Sequence, residues 1–392
     1  MSRLMPRVDP DGLLEYSVVY TDRALNHMSA TFQQVMQDIS TGLREAYNAD
    51  AVVVVPGSGT FAMEAVARQF AHGKRCLVIR NGWFSFRWSQ ILDAGAIPAE
   101  TRVLKAMPIA TSTTDDAQPA FSPPDLATVL EAIAQFKPDI IFAPHVETAS
   151  GIMLPDGYLE QVAAAIHKQG GLFVLDCIAS GAVWVDMKRL GIDVLISAPQ
   201  KGWSASACCG LVMLGERALA QIEHTTSSSF ACDLRKWLQI MRAYENGAHA
   251  YHATLPTDAL MVLRDAIAQT RAAGWDKTRQ AQIDLGRSVR RMLGEQGFSS
   301  VAAVGFEAPG VIVCYTRDPQ MQSARRFAEV GVQAAAGVAL QCDEPASFQT
   351  FRIGLFGLDK LANPERTLSL LQDAILRMQK EQEMAENADS AR

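Results

Sequence analysis

Short apolar runs alternate with longer stretches of helical period through the middle of the chain. Residues 52–55 read as a buried strand closed by Gly57-Ser58-Gly59, and 61–70 as a helix that is apolar around most of its circumference. The strand signature recurs at 76–79, 139–142, 172–175, 193–196 and 210–214, with helical patterns at 126–135 and 159–168. Continuous rather than alternating apolar runs belong to strands covered on both faces. The pattern therefore predicts an α/β fold with a mainly parallel sheet sandwiched by helices. Beyond about residue 265 the character shifts to a long amphipathic stretch at 277–296, strands at 311–314 and 351–354, and a short helix at 324–330. The expected organisation is an N-terminal segment (1–20), a large domain (21–270) and a smaller C-terminal α+β domain (271–392). Residues 111–124, rich in Ser, Thr and Pro, read as a surface loop. The final helix, from Pro364, is expected to give way to a polar tail at 381–392.

Composition narrows the class. A chain of 392 residues with 48% hydrophobic and 20% charged residues suits a folded protein of two domains. Lys plus Arg total 36 against 42 Asp plus Glu, with no basic stripe, so nucleic acid is not an expected partner. The opening residues carry no apolar core of a signal peptide, and no run approaches the roughly 18 apolar residues of a membrane span. The seven cysteines are scattered without a C-x-x-C pair, which predicts reduced thiols, a cytoplasmic location and no metal site.

The candidate chemistry sits at strand ends. Val55-Pro56-Gly57-Ser58-Gly59-Thr60 is a strand, a glycine turn and a helix start, a combination that suits a phosphate; an ordinary tight turn is the alternative. Gly57-x-Gly59-x-x-Ala62 also satisfies a loose dinucleotide fingerprint, with Arg80 at the next strand end for a 2′-phosphate. Asp176 ends one apolar strand, and Lys201 follows another 25 residues later. At the carboxyl edge of a parallel sheet the two would converge on the turn. An amine, a carboxylate and a phosphate cradle are what pyridoxal phosphate requires: Lys201 for a Schiff base with its aldehyde, Asp176 for the pyridine nitrogen. Read alone, Lys201 could be a surface lysine and Asp176 a turn residue. Arg352, inside the apolar run Phe351-Arg352-Ile353, needs an anion, either a substrate carboxylate or a structural carboxylate partner.

These residues resemble the class V aminotransferases of fold type I, in particular the alanine–glyoxylate and serine–pyruvate group, over roughly residues 20 to 380. The resemblance implies that Ser58, Gly59 and Thr60 contact the cofactor phosphate, with Gln200 nearby. Asn81-Gly82-Trp83-Phe84 with Arg87 is similar to a family segment in which Phe84 would stack on the cofactor ring. His145-Val146-Glu147-Thr148 resembles another, from which Thr148 carries over as a cofactor contact, while His145 and Glu147 receive no role. Asp176-Cys177-Ile178 matches the aspartate motif and adds Ile178 to the cofactor contacts. Tyr251 and Thr254 fall where the family reaches the phosphate of a neighbouring subunit, which implies a homodimer, and Arg352 falls where it binds the substrate carboxylate. The implied reaction moves an amino group from a small donor such as alanine, serine or an aminophosphonate to a 2-oxo acid such as glyoxylate or pyruvate. Two regions depart from the family: residues 14–20, where a glycine- and proline-rich segment is usual, and 333–339. A cysteine desulfurase of the same fold, with Cys342 as its nucleophile, is the nearest alternative, and an NADP-binding oxidoreductase the distant one.

Overall fold

The computed structural model describes residues 10–109 and 118–390. Its strands are β1 (Ala51–Pro56), β2 (Arg75–Arg80), β3 (Glu100–Lys105), β4 (Met107–Ile109), β5 (Ala120–Ser122), β6 (Ile140–Pro144), β7 (Leu172–Asp176), β8 (Val194–Ser197), β9 (Cys209–Leu214), β10 (Val311–Tyr315), β11 (Ala335–Ala336) and β12 (Thr350–Gly354). Seven of them form one sheet in the order β1-β9-β8-β7-β6-β2-β3. Pairing is parallel from β8 through β7, β6 and β2 to β3, and antiparallel on both sides of β9. β1 therefore points the same way as β8, and β1, β2, β6, β7 and β8 all end at one edge. Residues 140–144, 172–176 and 194–197 are buried throughout, as continuous apolar runs require.

Helices cover both faces because their apolar stripes have nowhere else to go. The Ala30–Tyr47 helix buries Phe32, Val35, Met36, Ile39 and Leu43; Ser29 caps its start by accepting from Phe32 N, and Asn48 ends it in the left-handed region at φ 53°. Asp125 and Asp233 cap the Leu126–Phe136 and Leu234–Glu245 helices in the same manner. The long Trp275–Glu295 helix and a three-stranded antiparallel sheet, β10-β12-β11, form the C-terminal part.

Two sequence expectations need correction. Of the loop expected over 111–124, residues 111–117 lie outside the described residues, but the remainder includes β5, paired antiparallel with β4. Phe121 anchors it: the side chain is buried, its N–H donates to Val301 O (2.7 Å), and its carbonyl accepts from Ala303 N (2.9 Å). The expected polar tail is helical as far as Ser390. Its Glu, Gln, Met and Ala residues are strong helix formers uninterrupted by Gly or Pro, so polarity alone does not end the helix. Among the described residues, no helix is long and apolar enough to cross a membrane.

Candidate active site

The carboxyl edge of the large sheet carries a cavity of about 170 Å³. Ser58, Gly59, Thr60, Phe84, Thr148, Asp176, Ile178, Gln200 and Lys201 all line it, so nine of the sequence-predicted residues meet at one place. Met63, Arg87, Val146 and Ala179 complete the wall. A larger groove of about 490 Å³ beside β12 holds none of these residues.

The turn after β1 is built by backbone constraints. Gly57 has φ 122°, a conformation that side chains disfavour, and its N–H donates to Cys208 O (3.0 Å). Ser58 stands at the N-cap of the Gly59–Phe70 helix with its hydroxyl uncommitted to capping. A Cβ on Gly59 would lie 2.5 Å from Ile178 Cδ1 and 3.3 Å from Ala198 Cβ, so a larger residue there would have to push the Ile178 side chain aside. Thr60 Oγ1 accepts a hydrogen bond from Arg87 Nη1 (3.0 Å). The result is a helix N-terminus with two hydroxyls and a guanidinium around it, an electropositive corner.

Asp176 closes β7. One carboxylate oxygen accepts from Ile178 N (2.9 Å), and burial pushes its pKa up to about 7. Lys201 lies across the cavity, half-buried, with Nζ 5.3 Å from the centre of the Phe356 ring. Burial lowers its pKa, and the nearby Arg352 guanidinium lowers it further. The lysine's loop is fixed from below. Trp203 is buried, donates through Nε1 to Ser197 Oγ (3.1 Å) and packs 4.6 Å from Trp184 between ring centres. Gly202 passes so close to Gly181 that an added Cβ would sit 2.2 Å from its carbonyl oxygen. Gly202→Ala must therefore displace backbone. It is expected to cost about 1–3 kcal/mol of stability and to shift Lys201, both readable from thermal melts and from loss of lysine reactivity toward an aldehyde.

Phe84 is held by Glu147, which sequence reasoning left without a role. The buried Glu147 carboxylate accepts from Phe84 N (3.2 Å), Ser85 N (2.8 Å), Ser85 Oγ (2.6 Å) and Ala149 N (2.9 Å). It thus satisfies the free amides at the start of the Trp83–Ala94 helix and complements the helix dipole. Gly82 leaves room for it, since a Cβ there would fall 2.7 Å from Glu147 Cγ. His145 Nδ1 is 2.7 Å from Ser180 Oγ, and complete burial holds its pKa down to about 4, so the ring stays neutral beside β7.

Three predicted residues lie outside the cavity wall. Arg352 on β12 reaches toward the cavity from the small sheet, 5.4 Å from the Phe84 ring centre, with Nε donating to Ala336 O (2.7 Å). Tyr251 and Thr254 bond each other through their hydroxyls (3.0 Å), and Tyr251 is 54% exposed. Arg87, which has no assigned role in the sequence, lines the wall and reaches Thr60, and nothing local in the sequence shows that contact.

Both alternative chemistries lose their key residue. Arg80 does not face the glycine turn: it donates to Ser89 Oγ (2.9 Å) and Gln341 O (3.2 Å) and lies over the Phe86 ring at 4.5 Å. Cys342 is 3% exposed, donates to Arg80 O (3.4 Å), and burial pushes its thiol up to about 12, the opposite of a mobile nucleophile.

Comparison with known proteins agrees with this geometry. The chain is 29% identical over 338 residues to a 2-aminoethylphosphonate–pyruvate transaminase of Paraburkholderia phymatum, covering 84% of each. It is 29% identical over 302 residues to the alanine–glyoxylate aminotransferase of Rattus norvegicus, covering 74% of this chain and 66% of that one. The crystal structure of an alanine–glyoxylate aminotransferase from Nostoc superposes with a TM-score of 0.75 at 22% identity, over 90% of this chain and 88% of that one. Residues 11–337 match the aminotransferase class-V family, and the chain belongs to it.

Proposed function

We propose that this protein is a pyridoxal phosphate-dependent transaminase. It would move an amino group from a small donor (alanine, serine or an aminophosphonate) to a 2-oxo acid such as glyoxylate or pyruvate. The observation that carries the reading is that Lys201 and Asp176 line the same cavity as the Ser58–Gly59–Thr60 turn. The residues present suit the cofactor: the turn packs Gly59 close against Ile178, and among the described residues Lys201 has no carboxylate ion-pair partner. The one hydrogen bond to the Asp176 carboxylate among those residues comes from Ile178.

When bound, pyridoxal phosphate supplies the electron sink for the charge left as the substrate Cα loses its proton. The remaining tasks fall to the chain. Ser58, Gly59 and Thr60, with Gln200 at the open rim, would bind the phosphate, and Arg87 reinforces the charge there through Thr60. The Asp176 carboxylate would hold a proton on the ring nitrogen. Phe84 would cover one face of the ring, with Thr148 and Ile178 as its other contacts. Lys201 Nζ would take the proton from Cα and return it at the cofactor carbon; its lowered pKa favours the neutral amine that this needs. Arg352 would clamp the substrate carboxylate and so set the Cα–H bond upright to the ring. Tyr251 and Thr254, which lie outside their own cavity wall, would complete the phosphate site of a partner subunit, making the active unit a homodimer. The seven unpaired cysteines suit a cytoplasmic home.

A panel of amino donors assayed against glyoxylate and pyruvate, with the cofactor added and its visible absorbance followed, tests the reading; no chromophore and no transfer would refute it. Arg352→Leu is expected to raise KM for carboxylate donors about 10- to 100-fold, the loss of charged hydrogen bonds, with little change in cofactor binding. Steady-state kinetics separate the two, and an unchanged KM would leave Arg352 a structural residue.

A further inference from the structure

The cysteines of this chain are not equivalent. Burial pushes up the thiols of Cys76, Cys177, Cys232, Cys314 and Cys342, which makes them poor nucleophiles. Cys208 and Cys209 stand apart as an adjacent pair with their sulfurs 3.7 Å apart. Cys209 is buried at the start of β9, whereas Cys208 is half-buried beside exposed Ser206 and Ala207. The contact between the two sulfurs holds the Cys208 thiol below its ordinary range and raises the Cys209 thiol well above it, with burial adding to the rise. The pair also backs the glycine turn. Cys208 O accepts from Gly57 N (3.0 Å), Cys209 is registered opposite Pro56, and Gly210 approaches Ser58 so closely that a Cβ would lie 2.7 Å from its carbonyl oxygen.

We propose that Cys208 and Cys209 form an oxidisable dithiol that hydrogen peroxide closes to a vicinal disulfide, loosening the adjacent anion turn. The Cys208 thiolate attacks one peroxide oxygen and the O–O bond breaks, giving a sulfenic acid and hydroxide, which is protonated to water. The Cys209 sulfur then attacks the sulfenic sulfur; the S–S bond forms, the S–O bond breaks, and hydroxide leaves with the Cys209 proton as a second water. Two thiols are oxidised and one peroxide is reduced. Closure brings the sulfurs from 3.7 Å to about 2.05 Å across a single peptide unit, which must turn the backbone between them. That turn withdraws the carbonyl acceptor from Gly57 N. The consequence for pyridoxal phosphate rests on the functional reading above; the consequence for the turn does not.

The test treats the cofactor-loaded protein with hydrogen peroxide. It reads peptide masses, thiol count, cofactor retention and, in ligand-free protein, hydrogen exchange over residues 57–62. Expected are loss of two hydrogens from the peptide carrying both cysteines, two fewer titratable thiols, faster exchange at the turn, and cofactor retention weakened roughly tenfold by the lost hydrogen bond. Dithiothreitol should reverse all four. Cys208→Ser should be resistant, and Cys209→Ala should stop at a sulfenic acid. Oxygen addition without the disulfide in the unmodified protein would overturn the proposal, as would a disulfide that leaves exchange at 57–62 unchanged. If the protein fails to take up pyridoxal phosphate at all, the functional reading falls, while the mass and exchange readouts still decide this one.

Discussion

Lys201→Ala is expected to lower the transamination rate by about 10⁴-fold or more while leaving the fold intact. One residue would both anchor the cofactor covalently and carry the proton, so its loss removes nucleophilic and acid–base catalysis together. The fold should survive because Lys201 is held by a cation–π contact at 5.3 Å and by neighbours, Gly202 and Trp203, that stay in place. The expected signature is a far-UV spectrum like that of the parent, no borohydride-trapped adduct on the peptide containing position 201, and negligible product. A variant that still transaminates at the parental rate would move the catalytic amine elsewhere. Partial rescue by an added small amine would instead strengthen the assignment, because the cavity and its electropositive corner remain.

The parts of the molecule legible in the sequence are those whose signal is local. Residues 172–176 and 194–197 are buried on both faces, and their unbroken apolar runs announce it. The edge strand β3 could not be read so: its Glu100, Thr101 and Arg102 face partly into solvent, and its pairing with β2 is a tertiary fact. The same division holds at the site. The Gly57–Thr60 turn, Asp176 and Lys201 declare themselves through strand ends, because a parallel sheet delivers those ends to one edge. Arg80 shares that position and yet turns away, drawn by Phe86 and Ser89 on the following helix. Glu147 and Arg87 went without a role because each acts on residues far along the chain, Ser85 and Thr60 respectively, and no spacing rule spans such loops.

Asp176→Asn should produce two effects of opposite sign. In ligand-free protein the carboxylate is a liability: burial raises its pKa to about 7 from an unfolded value of about 3.9. Between those limits the native state binds more protons than the unfolded chain, so this residue's contribution to stability falls as pH rises from about 4 to about 7. Above pH 7 the full penalty stands, about 4 kcal/mol at 1.36 kcal/mol per pKa unit. Asparagine keeps the shape without the charge. The ligand-free variant should therefore melt higher than the parent at pH 8, with the two converging below pH 4. Loading pyridoxal phosphate should reverse the order, because the parental carboxylate then gains a cationic partner that the amide cannot match. The variant should bind the cofactor more weakly and turn over about 10²–10⁴-fold more slowly. Thermal melts of both proteins across pH, with and without cofactor, read all of this. A parent that is the more stable at pH 8 without ligand would mean that Asp176 already has a partner within the chain, and its proposed partnership with the ring nitrogen would lose its physical basis.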